Sequence, residues 1–349
     1  MKKCKAILFT LCVFSLALNV KAEPFYKQNN DKNPTGIKRK PIGMAVEFTS
    51  HSACAHIAKN KGWFREEGIN LRTYDSYVTG MALASALARG GIEAAYICLI
   101  PAINAYANAG VPIKVVAGIH KYGYGIVVNP DKIKTIKDLE DLNIRIGCTR
   151  EGGPTDSLLH KMIERYHLDR EKILKKVKRM NSPKQLIAIK MGQLDAGILC
   201  EQYPTMAEEL GFKVLLSAED IWPGMQGSVL VVTDDLIKEH PLIVKKLVKV
   251  THRANKWLNS NPEDAAHIVA SGLTVEGERI FPIKTAKIAA GLKITPQVML
   301  RSLTEKLVCS TEISPEEVQK TIDYMVKSGY VKERFKAEEI LDLRFLNEE

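Results

Sequence analysis

The chain has 349 residues, of which 46% are hydrophobic and 26% are charged. This is an ordinary composition for a folded globular protein, and the length leaves room for two domains. The formal net charge of +10 mildly favours anionic partners, but the basic residues are scattered and no module combines them with aromatic residues, so we expect no nucleic-acid partner.

The first 22 residues have the three parts of a secretory signal peptide. A basic start at residues 1–5 precedes an apolar, acid-free run at residues 6–20, and Val20-Lys21-Ala22 is a small-x-small cleavage pattern. The run is shorter than the roughly 20 residues of a membrane span, so we expect cleavage rather than a retained anchor. Phe9-Thr10-Leu11 before Cys12 lacks the small residue of a lipoprotein signal. We therefore expect cleavage near Ala22 and a free protein in the periplasm.

Residues 23–40 are polar, contain two prolines and show no periodicity, which predicts a disordered spacer. The fold is expected to begin at Pro41, where strands and helices start to alternate in the manner of an α/β protein. Strands are predicted at residues 41–48, 70–74 and 112–118. Helices are predicted at residues 52–61, 101–109, 155–166, 240–258, 262–271, 283–292, 295–307, 314–328 and 337–343.

One stretch of the chain occurs twice. Arg89–Cys98 matches Met191–Cys200 at an offset of 102 residues, so that Gly90 meets Gly192 and Glu93 meets Asp195. In each copy a glycine ends a helix-like run and an apolar strand follows the acid. The repeat is too long for a solenoid, and it predicts two similar α/β lobes. The alternative is a chance likeness, because all strand–helix units share one pattern.

Two apolar strands bracket the second copy, at residues 127–129 and 229–232, and each follows a glycine-containing stretch. The chain is expected to leave the first lobe near Gly125 and to return near Gly227. Lobe 1 is therefore predicted to comprise residues 41–125 plus 230–349, and lobe 2 residues 126–229. Two crossovers of this kind form a hinge.

Several short motifs in a fixed order resemble the nitrate/sulfonate/taurine family of periplasmic solute-binding proteins. They are Gly62-Trp63-Phe64, Glu67-Gly68-Ile69, a helix that ends in Gly-x-x-Glu-Ala (residues 90–94), Gly110-Val111-Pro112 and Ile136-Lys137-Asp138-Leu139. The family's usual glycine-lysine after the last motif is replaced here by residues 140–143.

The resemblance implies a type II periplasmic-binding-protein fold, with two α/β lobes joined by a two-crossover hinge. Such proteins close on a small-molecule solute and deliver it to an ABC permease at the inner membrane. We expect a monomer with no cofactor. Sulfonates, taurine and nitrate are the solutes that the resemblance suggests, with a pyrimidine precursor or an aromatic acid as alternatives.

In open α/β sheets, ligands bind beyond the carboxyl ends of the strands. The strongest candidate among these ends is the loop that contains Thr149, Arg150, Gly152, Gly153 and Thr155. Its glycines allow the backbone to approach a ligand, the helix start favours an anion, and the arginine can bind a carboxylate or sulfonate through two hydrogen bonds. The alternative is a plain capped helix, with Arg150 paired to Glu151 or facing solvent.

Other predicted ligand contacts lie at the remaining strand ends. His51 and His120 could donate hydrogen bonds to an anion, or their hydrogen bonds could be satisfied within the protein. The aromatic residues could line the cleft or pack in the core. The further candidates are Ser50, Thr79, Gly80, Pro101, Tyr122, Glu201, Tyr203 and Trp222.

Five cysteines follow the predicted cleavage site: Cys54, Cys98, Cys148, Cys200 and Cys309. A disulfide between Cys148 and Cys200 is open to an exported protein, and buried inert thiols are the other interpretation. A site in which the thiols bind a soft metal is a further alternative, but no C-x-x-C spacing is present, so we expect no metal site.

The competing class is an enzyme, because thiamine-pyrimidine synthases use the same fold. Their clustered histidine and cysteine motifs have no counterpart in this sequence, and neither G-x-S-x-G, H-E-x-x-H nor a P-loop is present. We therefore predict a binding protein for a small anionic solute and not an enzyme. A periplasmic receptor that signals to a membrane sensor stays open as a third class.

Overall fold

The computed structural model of the protein describes residues 40–280 and 293–346. The signal peptide predicted at residues 1–22, nearly all of the spacer predicted at residues 23–40, and the helix predicted at residues 283–292 lie outside the described residues. None of the helices within the described ranges is long and apolar enough to cross a membrane.

The described residues form two β-sheets. Their strands are β1 (Pro41–Glu47), β2 (Asn70–Tyr77), β3 (Ala94–Cys98), β4 (Ile113–Tyr122), β5 (Tyr124–Val128), β6 (Ile146–Cys148), β7 (Val177–Arg179), β8 (Ala196–Cys200), β9 (Lys213–Ser217), β10 (Gln226–Thr233) and β11 (Leu307–Cys309). One sheet has the order β11-β4-β10-β3-β1-β2, and the other has the order β7-β6-β8-β5-β9. We call the first sheet with its helices lobe 1, and the second sheet with its helices lobe 2.

Helices alternate with these strands, and several of them begin with a proline, whose fixed φ suits the first helical position. The helices are α1 (Ala53–Asn60), α2 (Trp63–Glu66), α3 (Gly80–Ala88), α4 (Leu99–Ala109), α5 (Pro154–Arg165), α6 (Arg170–Leu174), α7 (Ser182–Lys190), α8 (Tyr203–Glu209), α9 (Ala218–Ile221), α10 (Asp234–Glu239), α11 (Pro241–Ser260), α12 (Pro262–Ile280), α13 (Pro296–Arg301), α14 (Pro315–Lys327) and α15 (Ala337–Ile340).

Strand β1, which lies between β3 and the edge strand β2, is buried on both faces, as its apolar sequence predicts. Successive side chains of a strand point to opposite faces. Met44 and Val46 accordingly pack in one hydrophobic cluster with residues of α1, α11 and α12, whereas Ala45 packs in another with residues of α3 and α4. The strand ends in Glu47, which places a carboxyl group at the edge of the core.

The helix predicted at residues 295–307 is helical through Lys306, and the prediction is wrong only at Leu307. The α-helix α13 ends at Arg301, a π-helical turn covers Ser302–Lys306, and Leu307 starts β11. Leu307 pairs with Tyr122 of β4 in antiparallel register. A partner almost 200 residues away in the chain therefore overrides the local preference for helix.

The chain passes between the sheets twice, as predicted, but at slightly different residues. The first crossing is at Gly123, between β4 and β5, and the second lies between the ends of β9 and β10. Gly123 has φ of +85°, and a Cβ there would lie 2.7 Å from the His51 ring nitrogen. Residues 124–125 therefore pair in the sheet of lobe 2, and residues 226–229 pair in that of lobe 1.

The sequence repeat corresponds to a repeated structure. In lobe 1 the Glu93 carboxylate accepts a hydrogen bond from the Gly43 amide at 2.5 Å, and the Glu93 amide donates to the Gly43 carbonyl at 2.8 Å. In lobe 2 the Asp195 carboxylate accepts from the Arg145 amide at 2.9 Å, and the Asp195 amide donates to the Arg145 carbonyl at 2.8 Å. Gly43 and Arg145 are again 102 residues apart. We call this reciprocal pair of hydrogen bonds the acid clamp.

We expect Asp195→Asn to lower the free energy of unfolding by about 2 kcal/mol at neutral pH, the scale of a lost hydrogen bond to a charged group. Burial would raise the pKa of Asp195, but hydrogen bonds from Arg145 and Lys132 outweigh it and hold that pKa below its usual value. The carboxylate therefore stabilises the fold above about pH 4, and this contribution is lost as the pH falls. Urea unfolding at pH 7 and at pH 3 measures both effects.

Asp131→Asn is the matched control for this variant, because Asp131 is exposed in the same lobe. It should leave the free energy of unfolding within about 0.5 kcal/mol of the wild type. Equal stability of the Asp195 and Asp131 variants at pH 7 would contradict a structural role for the acid clamp.

Candidate functional site

A cavity of about 380 Å³ lies between the two lobes. Thr79, the residue before α3, lines it from lobe 1, and loops that follow β6 and β7 line it from lobe 2. The cavity brings together three predicted residues, Thr79, Thr149 and Arg150. The full lining is Thr79, Thr149, Arg150, Glu151, Arg179, Met180 and Asn181.

The two arginines of the cavity differ in what they contact. Arg179 forms an ion pair with the fully buried Asp156 at 2.5 Å and a second one with Glu151 at 3.4 Å. Arg150 is exposed, and within the described ranges no hydrogen bond or ion pair joins its guanidinium to another residue. The sequence left open an ion pair between Arg150 and Glu151 as the alternative to a ligand contact. In the structure Glu151 pairs with Arg179 instead. Arg150 is left as the available guanidinium.

Asp156, which the sequence did not single out, organises the predicted anion loop. Its carboxylate accepts hydrogen bonds from the Gly152 amide at 3.0 Å and from the Tyr330 hydroxyl at 2.5 Å. The Gly153 amide donates to the Arg150 carbonyl at 3.2 Å. The two glycine amides expected to grip an anion are therefore satisfied inside the loop, which presents Arg150 instead.

The Thr155 side chain, another predicted contact, is also engaged within the loop. Its hydroxyl lies 2.5 Å from that of Thr149, and the Cys148 thiol lies 3.7 Å away. Thr155 is buried, whereas Thr149 reaches the cavity. Thr155 consequently supports the position of Thr149.

The two predicted histidines form a buried pair behind the cavity. The rings of His51 and His120 lie 4.4 Å apart, and burial lowers both pKa values, that of His51 to about 4. Nε2 of His51 donates to the Gly123 carbonyl at 2.8 Å, and Nδ1 of His120 lies 3.2 Å from the Lys121 carbonyl. Both side chains are therefore neutral at pH 7, and their N–H groups already have acceptors.

Sequence reasoning missed two residues that lie against this pair, Glu47 and Cys98. The Cys98 thiol lies 3.2 Å from a carboxylate oxygen of Glu47 and 3.5 Å from Nδ1 of His51. Burial raises the pKa of Glu47 to about 6 and that of Cys98 well above its usual value. Glu47 could have been noticed as the acid that ends an apolar strand, but no spacing pattern connects it with Cys98.

Contacts between the lobes lie next to this buried group. The Ser50 amide donates to the Gln202 side chain of lobe 2 at 3.0 Å, and the Ser50 hydroxyl lies 2.9 Å from that of Ser302. Asn104 of lobe 1 donates to the Gly152 carbonyl at 3.1 Å. The predicted residue Ser50 thus joins the lobes directly.

The remaining predicted residues pack rather than line the cavity. Gly80 allows close approach, because a Cβ there would lie 2.4 Å from Glu47 and 2.7 Å from Pro101. Trp222 packs against Tyr324 with ring centroids 5.1 Å apart. Tyr203 is buried in the hydrophobic core, and Tyr122 is half-buried at the crossing between the sheets.

The five cysteines within the described residues are free thiols. Cys148 and Cys200, the pair considered for a disulfide, each have a separate partner. Cys148 lies near the Thr155 hydroxyl, and Cys200 lies 3.3 Å from that of Ser182. The interpretation as buried thiols agrees with these contacts.

The fold is that of periplasmic binding proteins, which confirms the predicted fold. The ligand-binding component of an ABC-type import system from Staphylococcus aureus, solved with zinc bound, has a TM-score of 0.69, with 16% identity over 89% of this chain and 99% of its own. The alkanesulfonate-binding protein SsuA from Xanthomonas axonopodis pv. citri, bound to MOPS, gives 0.70, with 16% identity over 88% and 100%. The nitrate-binding protein NrtA from Synechocystis PCC 6803 gives 0.66, with 15% identity over 84% and 83%.

The protein belongs to the NMT1-like family, which residues 37–273 match. A provisionally named binding protein of Brucella abortus strain 2308 is 26% identical over 239 residues, covering 67% of this chain and 72% of its own length. The matched residues include β1, the cavity loops and the crossings between the lobes.

We expect Glu201→Gln to change how stability depends on pH. Burial raises the pKa of Glu201 to about 7, and the hydroxyls of Thr205 and Ser302 oppose this rise only in part. A carboxyl group whose pKa rises on folding takes up a proton, so wild-type stability should fall between about pH 4 and pH 7. The variant should lack this decline and should be more stable by about 3 kcal/mol at pH 8.

The free energy of unfolding in urea, measured from pH 4 to pH 8, tests this expectation. Glu263→Gln is the control, because Glu263 is exposed in the first turn of α12. Parallel pH profiles for the wild type and the Glu201 variant would show that Glu201 is ionised in the folded protein.

Proposed function

We propose that the protein is the periplasmic solute-binding component of an ABC importer and that it binds a small anionic organic solute between its lobes. The observation that carries this proposal is the guanidinium of Arg150, which has no partner among the described residues and lies in a cavity lined by both lobes. A volume of about 380 Å³ is within the usual range for small-molecule sites.

Two uncharged residues of this cavity can donate hydrogen bonds, and its one carboxylate, that of Glu151, lies 3.4 Å from the Arg179 guanidinium. The oxygen of Thr79 already accepts from the Ala82 amide, and the side-chain oxygen of Asn181 accepts from the Lys184 amide. The Thr79 hydroxyl hydrogen and the Asn181 amide hydrogens are therefore what these residues can offer a solute. Together with Arg150, they suit a carboxylate or sulfonate, whose oxygens only accept.

The helix arrangement favours the same kind of solute. Thr79 caps α3, Asn181 caps α7, and the loop with Arg150 leads into α5. The N-termini of α3 and α7 thus lie at the cavity, and each carries a partial positive charge. A negative group is consequently favoured by these two dipoles as well as by the arginine.

Closure of the lobes is the mechanism that follows from a cavity with two walls. A solute that contacts Thr79 of lobe 1 and Arg150 of lobe 2 binds the closed state better than the open one, and it shifts the population accordingly. The closed shape would then be what the permease engages. The import-system neighbour from Staphylococcus aureus and the alkanesulfonate-binding neighbour support both the partner and the solute class.

We expect one anionic member of a panel of sulfonates, taurine, nitrate, aromatic acids and uncharged pyrimidines to raise the melting temperature of the protein. A solute at 100 times its dissociation constant adds about 2.7 kcal/mol of stability, which thermal unfolding detects. Arg150→Gln should weaken this solute by roughly 10- to 100-fold, because it removes a charged hydrogen bond of about 1.5–3 kcal/mol.

Arg89→Gln is the matched control, since Arg89 is exposed and follows the last residue of α3, about 13 Å along the helix from its start at the cavity. It should bind the solute as the wild type does. Equal weakening by both substitutions would remove Arg150 from the site. Stabilisation by uncharged solutes alone would keep the binding function and overturn the anionic class.

A further inference from the structure

We propose that Glu47, His51 and Cys98 form a binding site for one transition-metal ion of the Zn²⁺ type. One donor atom from each residue lies within 4.8 Å of the other two. The three side chains come from the end of β1, the turn that follows it, and the end of β3. Each of them is almost completely buried.

The spacing of the donor atoms fits a shared ion. A tetrahedral ion with bonds of about 2.0–2.3 Å holds its ligand atoms about 3.3–3.8 Å apart. Sγ of Cys98 lies 3.2 Å from Oε2 of Glu47 and 3.5 Å from Nδ1 of His51. A Glu47 oxygen and a ring nitrogen of His51 lie within 4.8 Å of each other, so a shift of roughly 1 Å would let all three atoms share an ion.

Neighbouring groups already hold the donor atoms in a metal-binding orientation. The Gly123 carbonyl can only accept, so Nε2 of His51 carries the ring hydrogen and Nδ1 presents a lone pair to Cys98. Metal-binding histidines commonly use a backbone carbonyl in this way. Oε1 of Glu47 accepts from the Cys98 amide at 2.6 Å, which leaves Oε2 for the ion.

Two hydroxyl groups lie where they can stabilise the thiolate that would form on binding a metal ion. The Tyr124 hydroxyl donates to Sγ of Cys98 at 3.0 Å, and the Ser228 hydroxyl lies 3.5 Å from it. A thiolate and a carboxylate together balance the charge of a divalent ion, which reduces the cost of burying that ion. One sulfur, one nitrogen and one oxygen ligand favour Zn²⁺ over Mg²⁺ or Ca²⁺, which prefer oxygen alone.

A second observation also indicates a ligand in this region, because a ring nitrogen of His120 lacks a hydrogen-bond partner among the described residues. Nε2 of His120 is buried and has no hydrogen-bond partner within the described residues, although its ring lies 4.4 Å from that of His51. Nδ1 of the same ring lies 3.2 Å from the Lys121 carbonyl, so Nε2 is the lone pair. A buried lone pair without a donor is costly, and a metal ion or its bound water would satisfy it.

The proposed metal site is separate from the anion contacts but adjacent to them. Gly80 separates Glu47 from the cavity residue Thr79, since a Cβ on Gly80 would lie 2.4 Å from the Glu47 carboxylate. Three protein ligands leave the fourth position of a tetrahedral ion for water or another donor. Metal binding can therefore be measured without knowledge of the solute.

Titration of the metal-free purified protein with Co²⁺ tests the proposal. Co²⁺ occupies Zn²⁺ sites, and a Co²⁺–thiolate bond gives an absorption band in the near ultraviolet. We expect one equivalent of Co²⁺ to produce this band, and Zn²⁺ to remove it by competition. Cys98→Ser should abolish the band. Loss of a hydrogen bond that supports a ligand weakens metal affinity by roughly 10–100-fold, and His51→Gln should weaken it by more, because it removes a ligand.

Cys148→Ser is the matched control, because Cys148 is also buried at a strand end but lies in lobe 2. It should keep the band and the stoichiometry. Absence of stoichiometric metal binding by the wild type would overturn the proposal whatever the variants do. A band that persists in Cys98→Ser, or that disappears in Cys148→Ser, would overturn the assignment to Glu47, His51 and Cys98.

Discussion

The acid clamp is the constraint on which both lobes depend. Glu93 ties the start of β3 to β1 through Gly43, and Asp195 ties the start of β8 to β6 through Arg145. The clamp fixes a parallel register in which Met44 pairs with Ala94 in lobe 1 and Ile146 pairs with Ala196 in lobe 2. Because the register determines where the strands end together, it also determines which side chains meet at the cleft.

Exposed and buried polar side chains meet at the cleft, and the difference in burial gives them different properties. Arg150 remains exposed and charged in the cavity, whereas Asp156 is buried and holds Arg179 in an ion pair. Behind the cavity, burial keeps His51 neutral and raises the pKa of Glu47. The accessible wall thus carries the charge on which the proposed anion site rests, and the buried group carries the donor atoms on which the proposed metal site rests.

Part of the cavity lining could be predicted because these residues follow strands that the sequence reveals. The sequence predicts Thr79, Thr149 and Arg150 as ligand contacts, and the structure places all three in one cavity. Asp156 was missed because an acid in the first turn of a helix is ordinarily exposed to solvent and interacts only with the helix dipole. Its role depends on Tyr330, which is 174 residues away in the chain.

The sequence by itself determined the alternation of strands and helices, the two-lobed repeat and the crossings near the paired glycines, because hydrophobic periodicity, helix starts and turn residues act over a few neighbouring positions. Only the tertiary structure decided that Leu307–Cys309 is a strand, that Trp222 packs in the core, and that Glu47, His51 and Cys98 share one buried space. Strand pairing and burial bring together residues far apart in the chain, and no local pattern records which of them will meet.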